Sequence, residues 1–160
     1  KKIYDERLAD YIASHEVRVN PTLQITRSRF QLFEGRELTP EEQAQYARMQ
    51  ANHAETLDHC GRLFKAGIKL MAGSDCGWGV YPFGHFDREL LALVNAGLTP
   101  TQAVVAGTSN NAELLGIGEL VGTIVAGKSA DLLVVDGNPA EDISDIANVT
   151  AVFKAGLRVR

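Results

Sequence analysis

Residues 67–77 read Gly-Ile-Lys-Leu-Met-Ala-Gly-Ser-Asp-Cys-Gly. A short apolar run, Ile68 to Ala72, stands between two glycines, and a Ser-Asp pair follows it. A run of that length bounded by turn residues predicts a strand ending at Gly73. Upstream, Thr39-Pro40-Glu41-Glu42 places threonine at a helix N-cap, proline at the first helical position and glutamate at the third. The threonine hydroxyl and the Glu42 carboxylate can satisfy N–H groups that the first turn leaves without partners. The helix is predicted from Pro40 to about Ala66, where Gly67 supplies a left-handed stop. Tyr46, Met49, His53, Leu57, Cys60 and Phe64 recur at steps of three or four and form one stripe. Helix, glycine, strand, glycine and loop make one αβ unit. Polar groups at the C-terminal end of such a strand point into the site of an α/β fold.

Working outward, residues 4–14 read as the end of a helix with Leu8, Tyr11 and Ile12 on one face. Val17-Arg18-Val19 alternates as a short strand, and Pro21 ends it because proline donates no ladder hydrogen bond. Residues 24–38 carry no clear period and read as a loop or an irregular helix. Downstream, an aromatic and glycine-rich loop runs to Gly84, and a helix over 86–96 is closed by Gly97. Thr99-Pro100-Thr101-Gln102 repeats the capping logic and starts a helix to about Ala106; a short one follows from Asn110 to Leu115. After Gly116 the helical period disappears. Asp131 to Asp136 reads as a buried strand, turned by Gly137-Asn138-Pro139. Val149–Phe153 and Leu157–Arg160 flank Lys154-Ala155-Gly156 as a hairpin.

Composition bounds the function. The 160 residues carry 16 basic and 20 acidic side chains, a formal net charge of −4. An acidic balance without a basic cluster argues against a nucleic-acid partner. No apolar run approaches the roughly 18 residues of a membrane span. Cys60 and Cys76 form no C-x-x-C pair, which fits a reducing, cytoplasmic compartment. The length suits one domain but falls short of the about 250 residues typical of a complete (β/α)8 barrel. The charged start, Lys1 to Arg7 without a methionine, reads as the interior of a longer chain.

Asp75 stands where the strand ends. A carboxylate there can hold a metal or act as a general base, or it can cap the turn that follows. His15, His53, His59 and His85 make no metal-binding spacing. His53 and His59 are six residues apart, about 600° around the helix, and diverge. They read as surface or packing residues. His85, in the loop after Asp75, could face the same pocket. Cys76 reads as a buried, inert thiol. Trp78, Tyr81 and Phe83 either line that pocket or pack beneath the loop. The glycines match neither a P-loop nor a dinucleotide fingerprint.

Several stretches together resemble the amidohydrolase superfamily. Residues 67–77 resemble its eighth barrel strand. Thr-Pro-Thr-Gln-Ala-Val and Thr-Ser-Asn-Asn-Ala-Glu-Leu-Leu-Gly-Ile, within residues 99–117, resemble the helical segment that follows. Gly-Thr-Ile-Val-Ala-Gly-Lys-Ser-Ala-Asp-Leu-Leu-Val-Val-Asp-Gly-Asn-Pro, residues 122–139, resembles returning strands of its small β-sandwich, and Val149 to Val159 the closing hairpin. The combination G-x-I-x-x-G-K-x-A-D-L is specific, and the nearest flavour is that of imidazolonepropionase-like and Xaa-Pro-dipeptidase-like members. In that stretch Gly122 and Gly127 permit tight turns, Lys128 and Ser129 read as exposed, and Asp131 reads as structural.

The resemblance implies an α/β fold: residues 1–118 as the C-terminal part of a TIM (β/α)8 barrel, about strands 7–8 with their helices, and 119–160 as β-sandwich strands. It implies hydrolysis of an amide or dipeptide-like C–N bond by a metal-activated water. Asp75 inherits the metal-binding and proton-accepting role. Ser74, His85, Gln24 and Thr26 are the implied substrate-binding residues. The implied cofactor is a divalent metal, zinc by preference. The family's other metal ligands come from earlier strands, which this chain does not contain, so the chain alone is expected to be inactive and to need an N-terminal portion or an oligomeric partner. The alternative is a non-catalytic module that acts through self-association or a partner chain, because two barrel strands leave sheet edges and apolar faces open.

Overall fold

The computed structural model describes residues 4–77 and 80–160. Trp78 and the residues 1–3 of the charged start lie outside them. Six helices come first: α1 (Glu6–Ser14), α2 (Gln24–Ser28), α3 (Pro40–Lys65), α4 (Asp87–Asn95), α5 (Pro100–Gly107) and α6 (Ser109–Leu114). Three strands follow, β1 (Leu132–Val135), β2 (Val149–Lys154) and β3 (Leu157–Arg158). A 3₁₀ turn, Arg29–Leu32, extends α2, so 24–38 is an irregular helix running into a loop. Both capping boxes form: Thr39 with Glu42 opens α3, and Thr99 with Gln102 opens α5. Gly67 closes α3 with φ +85°. The stripe from Tyr46 to Phe64 is the face of α3 turned inward, half-buried except at Cys60, which is buried.

The inward face of α1 differs from the expected one. Leu8 and Tyr11 are exposed, and Ala9, Ile12 and Ala13 pack into the core. Alanine at the contact lets this helix approach closely, while Tyr11 stacks on His15 at 4.0 Å.

The strand expected over 68–72 is reduced to one parallel bridge, Val19 to Leu70. Pro21 leaves the partner segment too short for a ladder. The remaining backbone groups find other partners. Met71 N donates to Val19 O at 2.9 Å and Ala72 N to Ala106 O at 3.1 Å. The carboxamides of Asn110 and Asn111 donate to the Leu70 and Ala72 carbonyls, each at 2.8 Å. The Ser-Asn-Asn run of α6 thus takes the place of a neighbouring strand.

The C-terminal strands form one antiparallel sheet in the order β1-β2-β3, with a bulge between Val134 and Val135. It is a single layer, which leaves Leu133 and Val134 exposed although the apolar run suggested a buried strand. Ile143, in a 3₁₀ turn between β1 and β2, is 3% exposed and packs into the same core as Leu23, Ile68, Leu70 and Leu93. Lys128 is half-buried, not exposed as its place in a glycine turn suggested. Its ammonium donates to Gly118 O and Thr123 Oγ1, both at 2.6 Å, and closes the turn. Asp131 accepts from Ala155 N at 2.7 Å and pairs with Lys154, the structural part read for it.

Candidate active site

Asp75 sits just past the bridged segment with φ +49°, a left-handed backbone that Asp tolerates better than most residues. It is exposed. Its carboxylate accepts no hydrogen bond and joins no ion pair among the described residues, so it caps no turn there. The turn is closed instead by the backbone, Gly77 N to Tyr81 O at 2.8 Å. Among the described residues this exposed carboxylate therefore has no structural partner.

Neighbouring groups set where this carboxylate stands. Thr22, after the other bridged segment, also has a left-handed φ of +44°. Between the two turns, Asn20 lies over Gly73, where an added Cβ would be 2.1 Å from Asn20 Nδ2. The two strand ends therefore lie side by side. Ser74 is half-buried beside Asp75. His85 is half-buried; its carbonyl accepts from the buried Tyr81 hydroxyl at 2.7 Å, and no hydrogen bond joins its ring to Asp75 among the described residues. Tyr81 packs beneath the loop, and Phe83 covers Gly77 from outside. Cys76 is half-buried rather than buried, because the left-handed step at Asp75 breaks the strand alternation that would have turned it inward.

Gln24 and Thr26 fall in a different place. Gln24, Arg27, Phe30, His53, Arg88 and Leu91 line a cleft of about 420 Å³ between α2, α3 and α4. Ser74, Asp75 and His85 do not line it. Thr26 supports it from behind: its hydroxyl donates to Leu23 O at 2.8 Å and lies 2.7 Å from His53 Nδ1. The Thr26 hydroxyl thus bridges the Leu23 carbonyl and the His53 ring. Burial, helped by the Arg27 charge, lowers the His53 pKa.

One residue of this region escaped the sequence reading. Glu89, on α4, is fully buried, and its two oxygens accept from Leu23 N at 2.8 Å and Gln24 N at 2.7 Å. Burial pushes its carboxyl up to about 7, against the pull of those two N–H groups. The available signal was positional: Glu89 lies three residues after Phe86 and four before Leu93, an acid on the apolar face of its helix.

A metal finds few donors here. Among the described residues no three His, Cys, Asp or Glu side chains converge. Catalytic zinc normally takes three protein ligands, and Asp75 would supply only a single donor. The residues present do not by themselves fit a catalytic metal.

Comparison with known proteins covers nearly the whole chain. The model of the family described as "Amidohydrolase family" matches residues 5–159. Imidazolonepropionase of Geobacillus kaustophilus is 36% identical over 74 residues, 46% of this chain and 18% of that protein. Ochratoxinase of Aspergillus niger is 32% identical over 116 residues, 69% of this chain and 23% of that protein. Among solved structures, a Xaa-Pro dipeptidase with methionine bound in its active site is 28% identical with a TM-score of 0.80. That match covers 98% of this chain and 37% of the dipeptidase. The chain thus spans well under half the length of each of these proteins.

Proposed function

We propose that this chain, which belongs to the amidohydrolase family, supplies the proton-accepting carboxylate of a site that hydrolyses a carbon–nitrogen bond in a small amide or dipeptide-like substrate. The observation that carries this reading is Asp75: exposed, left-handed at a strand end, and committed to no structural contact among the described residues. In this role Asp75 takes a proton from the attacking water as its oxygen bonds to the carbonyl carbon. It returns that proton to the nitrogen as the C–N bond breaks, releasing an acid and an amine. Ser74, adjacent to Asp75, and His85, in the loop that follows, are the residues assigned to bind the substrate.

The parallel Val19–Leu70 bridge, with α3 as its crossover, supports reading residues 1–118 as the C-terminal part of a (β/α)8 barrel, about strands 7–8. Residues 119–160 then contribute strands to a β-sandwich. A divalent metal, zinc by preference, would polarise the water in the complete enzyme. Its further donors would have to come from outside this chain, so the chain alone is inactive. Two unpaired thiols support a reducing, cytoplasmic setting, and no described helix is long and apolar enough to cross a membrane.

The test compares turnover of Xaa-Pro dipeptides and N-acyl amino acids by this chain and by a longer form containing it. The longer form is expected to be active and to lose about 10²–10⁴-fold with Asp75→Asn, as removal of a general base does. Full turnover in the Asn variant would sink the assignment.

One observation favours a second reading, a module that works by self-association. Ile124, Leu157 and Val159 are 90%, 73% and 64% exposed on or near the single-layer sheet. Apolar surface beside an open strand edge promotes pairing between chains. Light scattering on the isolated chain is expected to give a dimer or larger species, and a clean monomer would refute this reading.

A further inference from the structure

The cleft between α2, α3 and α4 is built for a ligand by features that the Asp75 chemistry does not use. Gln24 lines the cleft, and its carboxamide bonds no protein group among the described residues but is not buried from solvent, so it is open to a ligand there. Arg88 is half-buried on the opposite wall, and no carboxylate lies within 4.0 Å of it among the described residues. Arg27 adds a second positive charge, shared with Glu34 at 3.0 Å and held 4.7 Å over the Phe30 ring. Leu91 is 42% exposed on a helix whose neighbouring Leu90 and Leu93 are buried, and with Phe30 it gives the cleft an apolar wall. The cleft's volume of about 420 Å³ falls in the range of small-molecule pockets, roughly 300–1,000 Å³.

Two arginines against one glutamate leave the lining positive. A free guanidinium offers paired N–H donors that match the two oxygens of a carboxylate, and a carboxamide N–H adds a third. An apolar wall below such donors suits a ligand whose other end is a hydrocarbon.

We propose that this cleft binds a small carboxylic acid with an aryl or branched aliphatic body, held at its carboxylate by Arg88 and Gln24 and at its body by Phe30 and Leu91. The proposal goes beyond the hydrolytic reading and stands whether or not Asp75 is catalytic.

The test titrates the full chain with phenylacetate, and separately with the neutral phenylacetamide, following side-chain N–H resonances of Gln24 and Arg88. Phenylacetate is expected to give saturable shifts, and the amide to bind at least about tenfold more weakly, since it lacks the charge that a guanidinium prefers. Arg88→Gln, which keeps hydrogen-bonding capacity without charge, is expected to weaken phenylacetate by a similar factor. Asp75→Asn is expected to bind phenylacetate as the unaltered chain does. Equal affinity for acid and amide, an unaltered affinity in Arg88→Gln, lost affinity in Asp75→Asn, or no saturation with phenylacetate would each overturn the proposal.

Discussion

Replacing Glu89 with alanine is expected to destabilise the chain by about 3–5 kcal/mol, measured as a shift in urea midpoint. Two terms add. The Leu23 and Gln24 N–H groups lose their side-chain acceptor in a buried place, and each such loss costs about 1–3 kcal/mol. The truncation also leaves a cavity between α2 and α4. Against a total stability of about 5–15 kcal/mol typical of a domain, that is a large fraction. Glu89→Gln, with the same shape, keeps one accepting oxygen and turns an NH₂ toward the other backbone N–H. It is expected to cost less, about 1–3 kcal/mol.

The same residue sets a pH dependence. Burial raises its carboxyl from an ordinary 4.5 up to about 7, so between those values the folded chain binds more protons than the unfolded one. Stability from this group is therefore full below about pH 4.5 and falls as pH rises toward 7. The loss is at most about 3 kcal/mol, and smaller if the two N–H bonds favour the anion more than burial disfavours it. Urea midpoints at pH 5, 6, 7 and 8 are expected to decline for the unaltered chain and to decline less for Glu89→Gln. Parallel profiles for the two proteins would show that Glu89 does not titrate in this window.

Gly61→Ala carries the second large effect, and its sign is the informative part. Alanine inside a helix ordinarily stabilises by about 0.5–1 kcal/mol relative to glycine. Gly61 is buried in the last third of α3, where α3 crosses the end of α4. A Cβ there would lie 2.2 Å from the Ala96 carbonyl oxygen, a backbone atom that cannot swing aside. The helices must separate, and α4 carries Leu90, Leu93 and Glu89 into the core. Overpacking of this kind costs about 1–3 kcal/mol, so a net loss of about 1–2 kcal/mol is expected from thermal or urea unfolding. A variant as stable as the parent, or more so, would mean that α3 and α4 do not approach as described.

These two residues show where sequence reading stops. The capping boxes at Thr39 and Thr99 could be read because each joins groups three residues apart, where chain geometry leaves little choice. Asp75 could be singled out because strand, glycine and acid follow one another directly. Glu89 and Gly61 could not be explained in that way. The partners of Glu89 lie 66 and 65 residues away, and Gly61 is constrained by a carbonyl on another helix. Gln24 and Thr26 are likewise far from Asp75 along the chain: all three follow strand-like segments, yet two belong to the cleft and its support and one stands at the strand end.

By itself, the sequence determined the capped helices α3 and α5, the final hairpin and the family resemblance, since all of these are written in neighbouring residues or short ordered stretches. Only the tertiary structure decided that residues 68–72 lean on Asn110 and Asn111 instead of a second full strand, that the sheet is a single layer, and that Glu89 ties α4 to α2. Those outcomes depend on which buried N–H and C=O groups meet. A buried polar group must find a partner wherever the packing places one, and its position along the chain does not say where that will be.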